Sequence, residues 1–163
     1  MAHIEASSHP RIYAHLTINA LNWKEIPEFV DLLSARVKGI TVQFHYPYPG
    51  IDEGLLLPPA QRRAVLDGLI RMKRQGLPVV DSYACLRALK HNRWKCRPWA
   101  IASVEPDGKL IHGCYVKGRA EISCERCGFS AHTELSMALG GVFEPIWAGS
   151  KIFLHSSSAQ GRV

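Results

Sequence analysis

Long apolar runs are missing from this chain of 163 residues. No stretch approaches the roughly 18 consecutive apolar residues that a membrane-spanning helix needs. The opening residues, MAHIEASSHP, contain no apolar signal-peptide core. Internal repeats and low-complexity runs are absent as well. We therefore expect no membrane span, a cytoplasmic location where thiols stay reduced, and one domain or a compact lobe with a small appendage.

Acidic residues are also scarce, with 14 Asp and Glu against 20 Lys and Arg and a net charge of +6. This excess suggests nucleic acid as a partner, but the basic residues are scattered and no aromatic-rich RNA-binding motif accompanies them. Four of them stand beside cysteines: Lys95, Arg97, Lys117 and Arg126. Nearby cations favour the thiolate form that binds metals. We therefore expect no nucleic-acid partner and interpret part of the charge as a counter-charge to thiolates.

Cysteine occurs only five times, and four of the five form the most informative pattern of the chain. Cys124 and Cys127 make a CxxC followed by glycine, the tight turn that directs two thiolates at one ion. Cys96 and Cys114 flank a turn signal, EPDG at 105–108, so a hairpin would bring them together at its base. Four converging sulfurs suit tetrahedral zinc or an iron–sulfur cluster, and spacing alone leaves both open.

Three further residues near this pattern have simpler interpretations. Cys85 is the odd cysteine, and we predict that it is a small core residue. His112 and His132 lie near the cysteines and are possible substitute ligands. Because four thiolates are already present, we interpret both histidines as outer-layer or surface groups.

Apolar periodicity predicts alternating strands and helices before the cysteine region. Strands are expected at 11–18, 40–44 and 77–80. Helices are expected after each strand, from residue 22 or 26 to the glycine at 39, from 58 to 76, and from 81 or 82 to 90. This βαβαβα order indicates an α/β fold with a parallel sheet and right-handed crossovers. The pattern changes near Arg93 to short strands, turns and cysteines, and the last residues, 156–163, are expected to be disordered.

Three βα units cannot close a barrel, and as an open sheet they leave two exposed parallel edges. The chain therefore has the organisation of the second half of something larger. In parallel α/β folds, residues at the carboxyl ends of strands build the active site. Asn19 and His45 follow the first two predicted strands and are candidates for contact with a cosubstrate or substrate. Loop capping and packing are the alternative roles for both.

Four short segments carry a resemblance to a known family: WKCRPW at 94–99, VEPDG at 104–108, HGCY at 112–115 and CERCGF at 124–129. Together they resemble the C-terminal region of radical S-adenosylmethionine (radical SAM) proteins. The likeness is greatest to members with a SPASM- or twitch-like auxiliary cluster region and to the hopanoid adenosyl-transferase-like branch. The three βα units resemble strands four to six of that family's partial (β/α)6 barrel, a partial TIM barrel.

This resemblance implies a division of the chain into two parts. Residues 1–93 would be the second half of the partial barrel, and residues 94–163 an auxiliary iron–sulfur region with a β-hairpin. Four cysteines would bind one 4Fe–4S cluster there: Cys96, Cys114, Cys124 and Cys127. The alternative is a zinc-stapled binding or structural module without catalysis, since Zn²⁺ needs only these ligands.

The chain departs from the family at its catalytic motif. Members bind their catalytic cluster through CxxxCxxC, and no three cysteines here have that spacing. The resemblance therefore implies an enzyme family but no S-adenosylmethionine cleavage by this chain alone. A separate N-terminal half-barrel would be the partner that supplies the motif, with Asn19 and His45 near the cosubstrate. The chain alone would tend to self-associate through its exposed edges, and it carries no signature of a particular substrate.

Overall fold

A computed structural model describes residues 2–7, 9, 11–48, 50–117 and 120–154. The first part contains two strands and four helices: α1 (Ala2–Glu5), β1 (Tyr13–Ile18), α2 (Ile26–Ser34), β2 (Gly39–Phe44), α3 (Pro59–Arg74) and α4 (Tyr83–His91). The second part contains a hairpin and two helices: β3 (Ala102–Val104), β4 (Leu110–His112), α5 (Ser130–Ala138) and α6 (Phe143–Phe153). The expected mixed α/β class is confirmed. The predicted disorder at 156–163 falls outside the described residues.

The parallel sheet is smaller than the sequence predicted. β1 and β2 pair in parallel, from Tyr13 opposite Gly39 to Ile18 opposite Phe44. The third strand predicted at 77–80 is reduced to a single parallel bridge between Ile40 and Val79. The described residues therefore contain two-stranded sheets and no partial barrel, which corrects the expected three-stranded half.

The third strand stops early because a side chain takes its place beside β2. Val79 is followed closely by Asp81, whose Oδ2 accepts the backbone amide of Val42 at 2.8 Å. That amide would otherwise pair with the next residue of a longer third strand. The Asp81 carboxylate thus accepts the hydrogen bond that a longer third strand would have accepted. The chain turns into α4 directly afterwards, at Tyr83.

One face of the β1–β2 sheet is covered by helices, and the other carries polar side chains. The alternate strand residues on the helical side are buried among α2, α3 and α4, including Ile18, Ile40 and Val42. This arrangement follows from crossovers of one hand, which place consecutive helices on the same face. On the opposite face, His15 Nδ1 lies 2.7 Å from Thr41 Oγ1. The other strand residues on this face are exposed or half-buried, except Gly39, which is buried.

The ends of α4 match their sequence signals. Ser82, a predicted N-cap, accepts the amide of Cys85 with its hydroxyl at 3.0 Å. The helix ends at Asn92, which adopts φ of 50°, a left-handed conformation that asparagine tolerates well at helix ends. Across the described residues, no helix combines the length and apolar character that crossing a bilayer requires.

The second part of the chain begins with the expected hairpin. β3 and β4 pair antiparallel, from Ala102 opposite His112 to Val104 opposite Leu110. The turn at 105–108 ends in Gly108, whose φ of 84° favours glycine. Helices α5 and α6 were not predicted, since we expected short strands and turns after residue 93.

Helices α5 and α6 are joined to the first part through the N-terminus of α4. Glu134 of α5 accepts the backbone amide and the hydroxyl of Ser82, the latter at 2.8 Å. Glu144 of α6 accepts the amide of Ala84 at 2.6 Å and pairs with Arg87 at 2.9 Å. The first turn of a helix has unpaired amides and a partial positive charge, which carboxylates stabilise.

Candidate metal centre

The four predicted ligands lie in one neighbourhood. Burial raises the pKa of the Cys127 thiol, and the three other cysteines raise it further: Cys114, Cys96 and Cys124. The pKa of Cys96 is likewise raised by burial and then by Cys114 and Cys124. None of these thiols is in a disulfide. Since neighbouring cysteines raise the pKa of Cys96 and Cys127, a bound cationic group would favour the thiolate forms of these two residues.

A second group of potential ligands is more closely spaced than the four cysteines. Among the described residues, Asp81, Cys85 and Glu134 form the group of potential ligands whose atoms lie within 4.8 Å of one another. No three of the four cysteine sulfurs meet that distance.

The CxxC turn is attached to the parallel sheet by its glycine. The carbonyl of Gly128 accepts the backbone amide of Phe44, the last residue of β2, at 3.0 Å. A Cβ atom on Gly128 would lie 2.4 Å from Phe44 Cβ. A residue with a side chain cannot approach the strand this closely. The glycine after CxxC is therefore required for contact with β2 as well as for the turn.

A second attachment comes from the end of α4. The side-chain Nδ2 of Asn92 donates to the backbone carbonyls of Cys124 at 2.9 Å and Glu125 at 2.7 Å. The indole of Trp94 donates to Asn92 Oδ1 at 3.0 Å. Because Asn92 also ends α4, one residue fixes both the helix terminus and the CxxC turn.

A third attachment, from α3, was missed in the sequence. Basic residues of a helix usually lie on its solvated face, yet Arg62 of α3 is half-buried. Its Nη2 donates to the Cys127 carbonyl at 2.8 Å, and its guanidinium lies 4.6 Å from the Phe44 ring centre. Burial lowers the pKa of Arg62, while the Cys127 thiolate raises it. Three buried residues of α3 follow Arg62 by three, four and seven positions: Val65, Leu66 and Leu69. This spacing places Arg62 on the buried face of the helix and is the sequence signal that could have found it.

Donors and aromatic groups complete the surroundings of the cysteines. The backbone amide of Phe129 hydrogen-bonds to the Cys127 sulfur and favours its thiolate, as the Ser136 hydroxyl does for Cys96. Phe129 packs in a small apolar cluster with Tyr46 and Val116. The Tyr46 hydroxyl accepts the amide of Ser123 at 2.8 Å. The start of the CxxC segment is thereby held against the loop after β2.

Three further residues were considered beside the four cysteines: Cys85, His132 and His112. Cys85 is fully buried in the main core, which confirms its interpretation as a core residue. His132 packs against Phe129 with 5.2 Å between ring centres, and burial lowers its pKa. His112 is exposed at the end of β4.

Asn19 and His45 follow the ends of β1 and β2, as expected. Asn19 Oδ1 accepts the amides of Leu21 at 2.9 Å and Asn22 at 3.2 Å, which is a loop-capping role. His45 Nε2 lies 2.6 Å from Asp52 Oδ2. Both residues therefore support loops in this structure, and their contact with a cosubstrate stays a prediction.

Asp81, Cys85 and Glu134, the closely spaced group, are linked to their neighbours. Asp81 bonds to the Val42 amide, Glu134 to Ser82, and the Cys85 thiol lies 3.7 Å from a backbone carbonyl. Burial raises the pKa of Asp81 to about 7, with Glu134 adding to the effect. Through these contacts the three residues connect α4, α5 and β2, and this structural role accounts for their close spacing.

No family model, curated protein or solved structure matches the chain. The assignment of a function therefore depends on the cysteine motifs and on the geometry described above.

Proposed function

We propose that this chain is part of a radical SAM protein and binds one auxiliary 4Fe–4S cluster through Cys96, Cys114, Cys124 and Cys127. The observation that carries the proposal is that two distant pairs of cysteines meet in one neighbourhood, where burial and then the neighbouring cysteines raise the pKa of Cys96 and Cys127. Tetrathiolate ligation is the usual mode of binding for such a cluster. The family assignment itself is supported by the sequence segments at 94–129.

The resemblance of the segments at 94–129 to an auxiliary cluster region is what favours a cluster over a zinc ion. The Phe129 amide also donates to the Cys127 sulfur, and hydrogen bonds to sulfur are among the means by which proteins set the potential of such clusters. Zinc remains the competing cofactor, because these four ligands satisfy its coordination completely.

The protein's own residues would hold the cluster and shape its surroundings. Gly128 and Asn92 fix the CxxC turn to β2 and α4. Arg62 places a cation beside the Cys127 carbonyl, which would offset part of the negative charge of four thiolates. A bound cluster would supply electron transfer or a rigid joint. With four protein thiolates as ligands, it would have no open iron for a cosubstrate.

The proposed partner is a complementary radical SAM half-barrel that carries CxxxCxxC. Parallel sheets are covered on both faces in nearly all proteins. Here Tyr13, His15 and Thr41, on the face opposite α2 and α3, are exposed or half-buried. These polar side chains are suited to the interior of an active-site barrel. S-adenosylmethionine would bind only to the assembled pair, near Asn19 and His45.

Metal analysis after anaerobic purification tests the cofactor. We expect a brown protein with about four irons and four sulfides per chain. A matched control is available in the fifth cysteine: Cys127→Ser should lose the cluster, whereas Cys85→Ala should retain it. A colourless protein that holds one zinc per chain with full occupancy would overturn the cluster and establish the structural module instead.

Cleavage of S-adenosylmethionine tests the family assignment. The reconstituted chain alone should form no 5′-deoxyadenosine under reduction, and addition of a half-barrel with the missing motif should restore its formation. Formation of 5′-deoxyadenosine by the chain alone would mean that one cysteine leaves an iron open. Failure of every such half-barrel to bind, with the cluster intact, would refute the family while leaving the metal site in place.

A further inference from the structure

A cavity of about 700 Å³ lies away from the cysteines, between the end of α3, the short third strand and α6. None of the four cysteines lines it. Its volume is within the range of about 300–1,000 Å³ that small-molecule sites occupy. The cysteine centre makes no use of this cavity, so it needs its own account.

The cavity has a positive character, because three lysines and one carboxylate line it: Lys38, Lys73, Lys151 and Glu144. Lys73 is at the end of α3, and Lys151 is in the last turn of α6. Lys73 Nζ donates to the Val79 carbonyl at 2.6 Å. An ammonium group has three donors, so two remain for a ligand. Lys151 forms no ion pair with a described carboxylate.

The two lysine charges are close enough to disfavour each other. Burial lowers the pKa of Lys73, and the charge of Lys151 lowers it further, while nearby carboxylates raise it. Glu144, the carboxylate that lines the same cavity, already binds the Ala84 amide and Arg87. An anion between the lysines would gain two attractions and relieve their mutual repulsion, against repulsion from Asp81, Glu134 and Glu144, the carboxylates that raise the pKa of Lys73.

Aromatic rings provide the apolar part of the walls. Lys73 Nζ lies 5.2 Å from the centre of the Tyr83 ring, and Lys151 Nζ lies 5.3 Å from the Trp147 ring. Phe143 stacks on Trp147 at 6.4 Å with an interplanar angle of 17°. Trp147 is 52% exposed and Phe143 is 70% exposed. Such exposed, parallel rings next to cations suit a flat apolar group that ends in an acid.

We propose that this cavity binds a small organic anion, with its acid group between Lys73 and Lys151 and its planar apolar body against Trp147. The acid can be a carboxylate or a phosphate monoester, since a lysine ammonium binds either as a point charge. The site is independent of the cysteine centre, so the failure of one proposal does not affect the other.

A matched pair of probes tests both halves of the site in the full chain. We would titrate 2-naphthoate and its uncharged amide, 2-naphthamide, and follow the indole N–H signals of the four tryptophans by NMR. The signal of Trp147 should shift and that of Trp23 should not. We expect naphthoate to bind about tenfold more tightly than the amide, the difference that one additional charged contact typically makes.

Substitutions then assign the contacts. Lys151→Met should weaken naphthoate about fivefold or more and leave the amide unchanged. The control is Lys24→Met, since Lys24 also lies over a tryptophan, 5.6 Å from the Trp23 ring, but outside this cavity. Lys73→Met provides a second test. Equal affinity for the acid and the amide, an unmoved Trp147 signal, or equal losses in the Lys151 and Lys24 variants would overturn the proposal.

Discussion

The amide of Phe44 donates to the carbonyl of Gly128 at 3.0 Å, so the last residue of a parallel strand holds the residue that follows the CxxC motif. This single hydrogen bond joins two parts of the chain that are far apart in sequence. It lies on the same edge of β2 as the hydrogen bond from the Val42 amide to Asp81, two residues further along the strand. The segment that contains the CxxC motif is therefore attached to the edge of β2 that does not pair with β1.

The first prediction concerns this close approach. Gly128→Ala would place a Cβ atom 2.4 Å from Phe44 Cβ, and relief of the clash would separate the turn from the strand. We expect the free energy of unfolding to fall by about 1–3 kcal/mol, as overpacking of a core does. Urea unfolding measures the change.

Gly149→Ala is the matched control for the first prediction. Gly149 lies within α6, and a Cβ atom there would have nothing within 4 Å. This substitution should leave stability unchanged or raise it by up to about 1 kcal/mol, because alanine favours helix. Equal destabilisation by both substitutions would contradict the role assigned to Gly128.

The second prediction concerns the dependence of the second part on metal. Structural tetrathiolate sites contribute about 10–16 kcal/mol of apparent binding energy to small domains. We therefore expect Cys124→Ser to abolish amide-exchange protection after residue 93 and to leave α2 and α3 largely protected. Exchange measured by mass spectrometry would reveal the difference. Native protection and full metal content in this variant would exclude Cys124 as a ligand.

The third prediction concerns Arg62. Its guanidinium donates to the Cys127 carbonyl and lies over the Phe44 ring. Arg62→Met keeps the apolar stem but leaves that carbonyl without its donor, at a cost of about 1–3 kcal/mol. Metal should be lost to a chelator several-fold faster than from the parent chain. Arg63→Met, on the exposed side of α3, should lose metal at the parental rate, and equal rates for both variants would refute this role.

The fourth prediction concerns pH and Asp81. Burial raises the pKa of this carboxyl to about 7, above the value of about 3.9 in an unfolded chain. Between these values the folded protein holds more protons than the unfolded one. The free energy of unfolding should therefore decrease as pH rises towards 7, by at most about 1.4 kcal/mol per pH unit.

Asp81→Asn tests the fourth prediction because it keeps an acceptor for the Val42 amide and removes the charge. Denaturation at several pH values from 5.5 to 8 should give a smaller decrease for this variant than for the parent chain. Asp31→Asn, at an exposed position of α2, should retain the parental decrease. An unchanged slope in the Asp81 variant would show that this carboxyl is not the group responsible.

Several features were predictable from local sequence. Ser82 caps α4 and Gly108 ends the hairpin turn because each backbone position needs the residue type that stands there. The two long crossover helices and β1 and β2 lie close to their predicted positions. The CxxC motif and the hairpin marked four cysteines as one group, because metal-ligand spacing is itself a local property.

The tertiary structure decided what no local pattern contains. Whether 77–80 forms a full strand depended on a side chain, since Asp81 takes the amide that a longer strand would need. Helical spacing puts Arg62 on the buried face of α3, but only the approach of Cys127 decides which group its guanidinium binds. Periodicity and turn chemistry determine elements along the chain. Contacts between distant segments are determined by packing. The contact between Phe44 and Gly128, which fixes the candidate centre to the sheet, is of this kind.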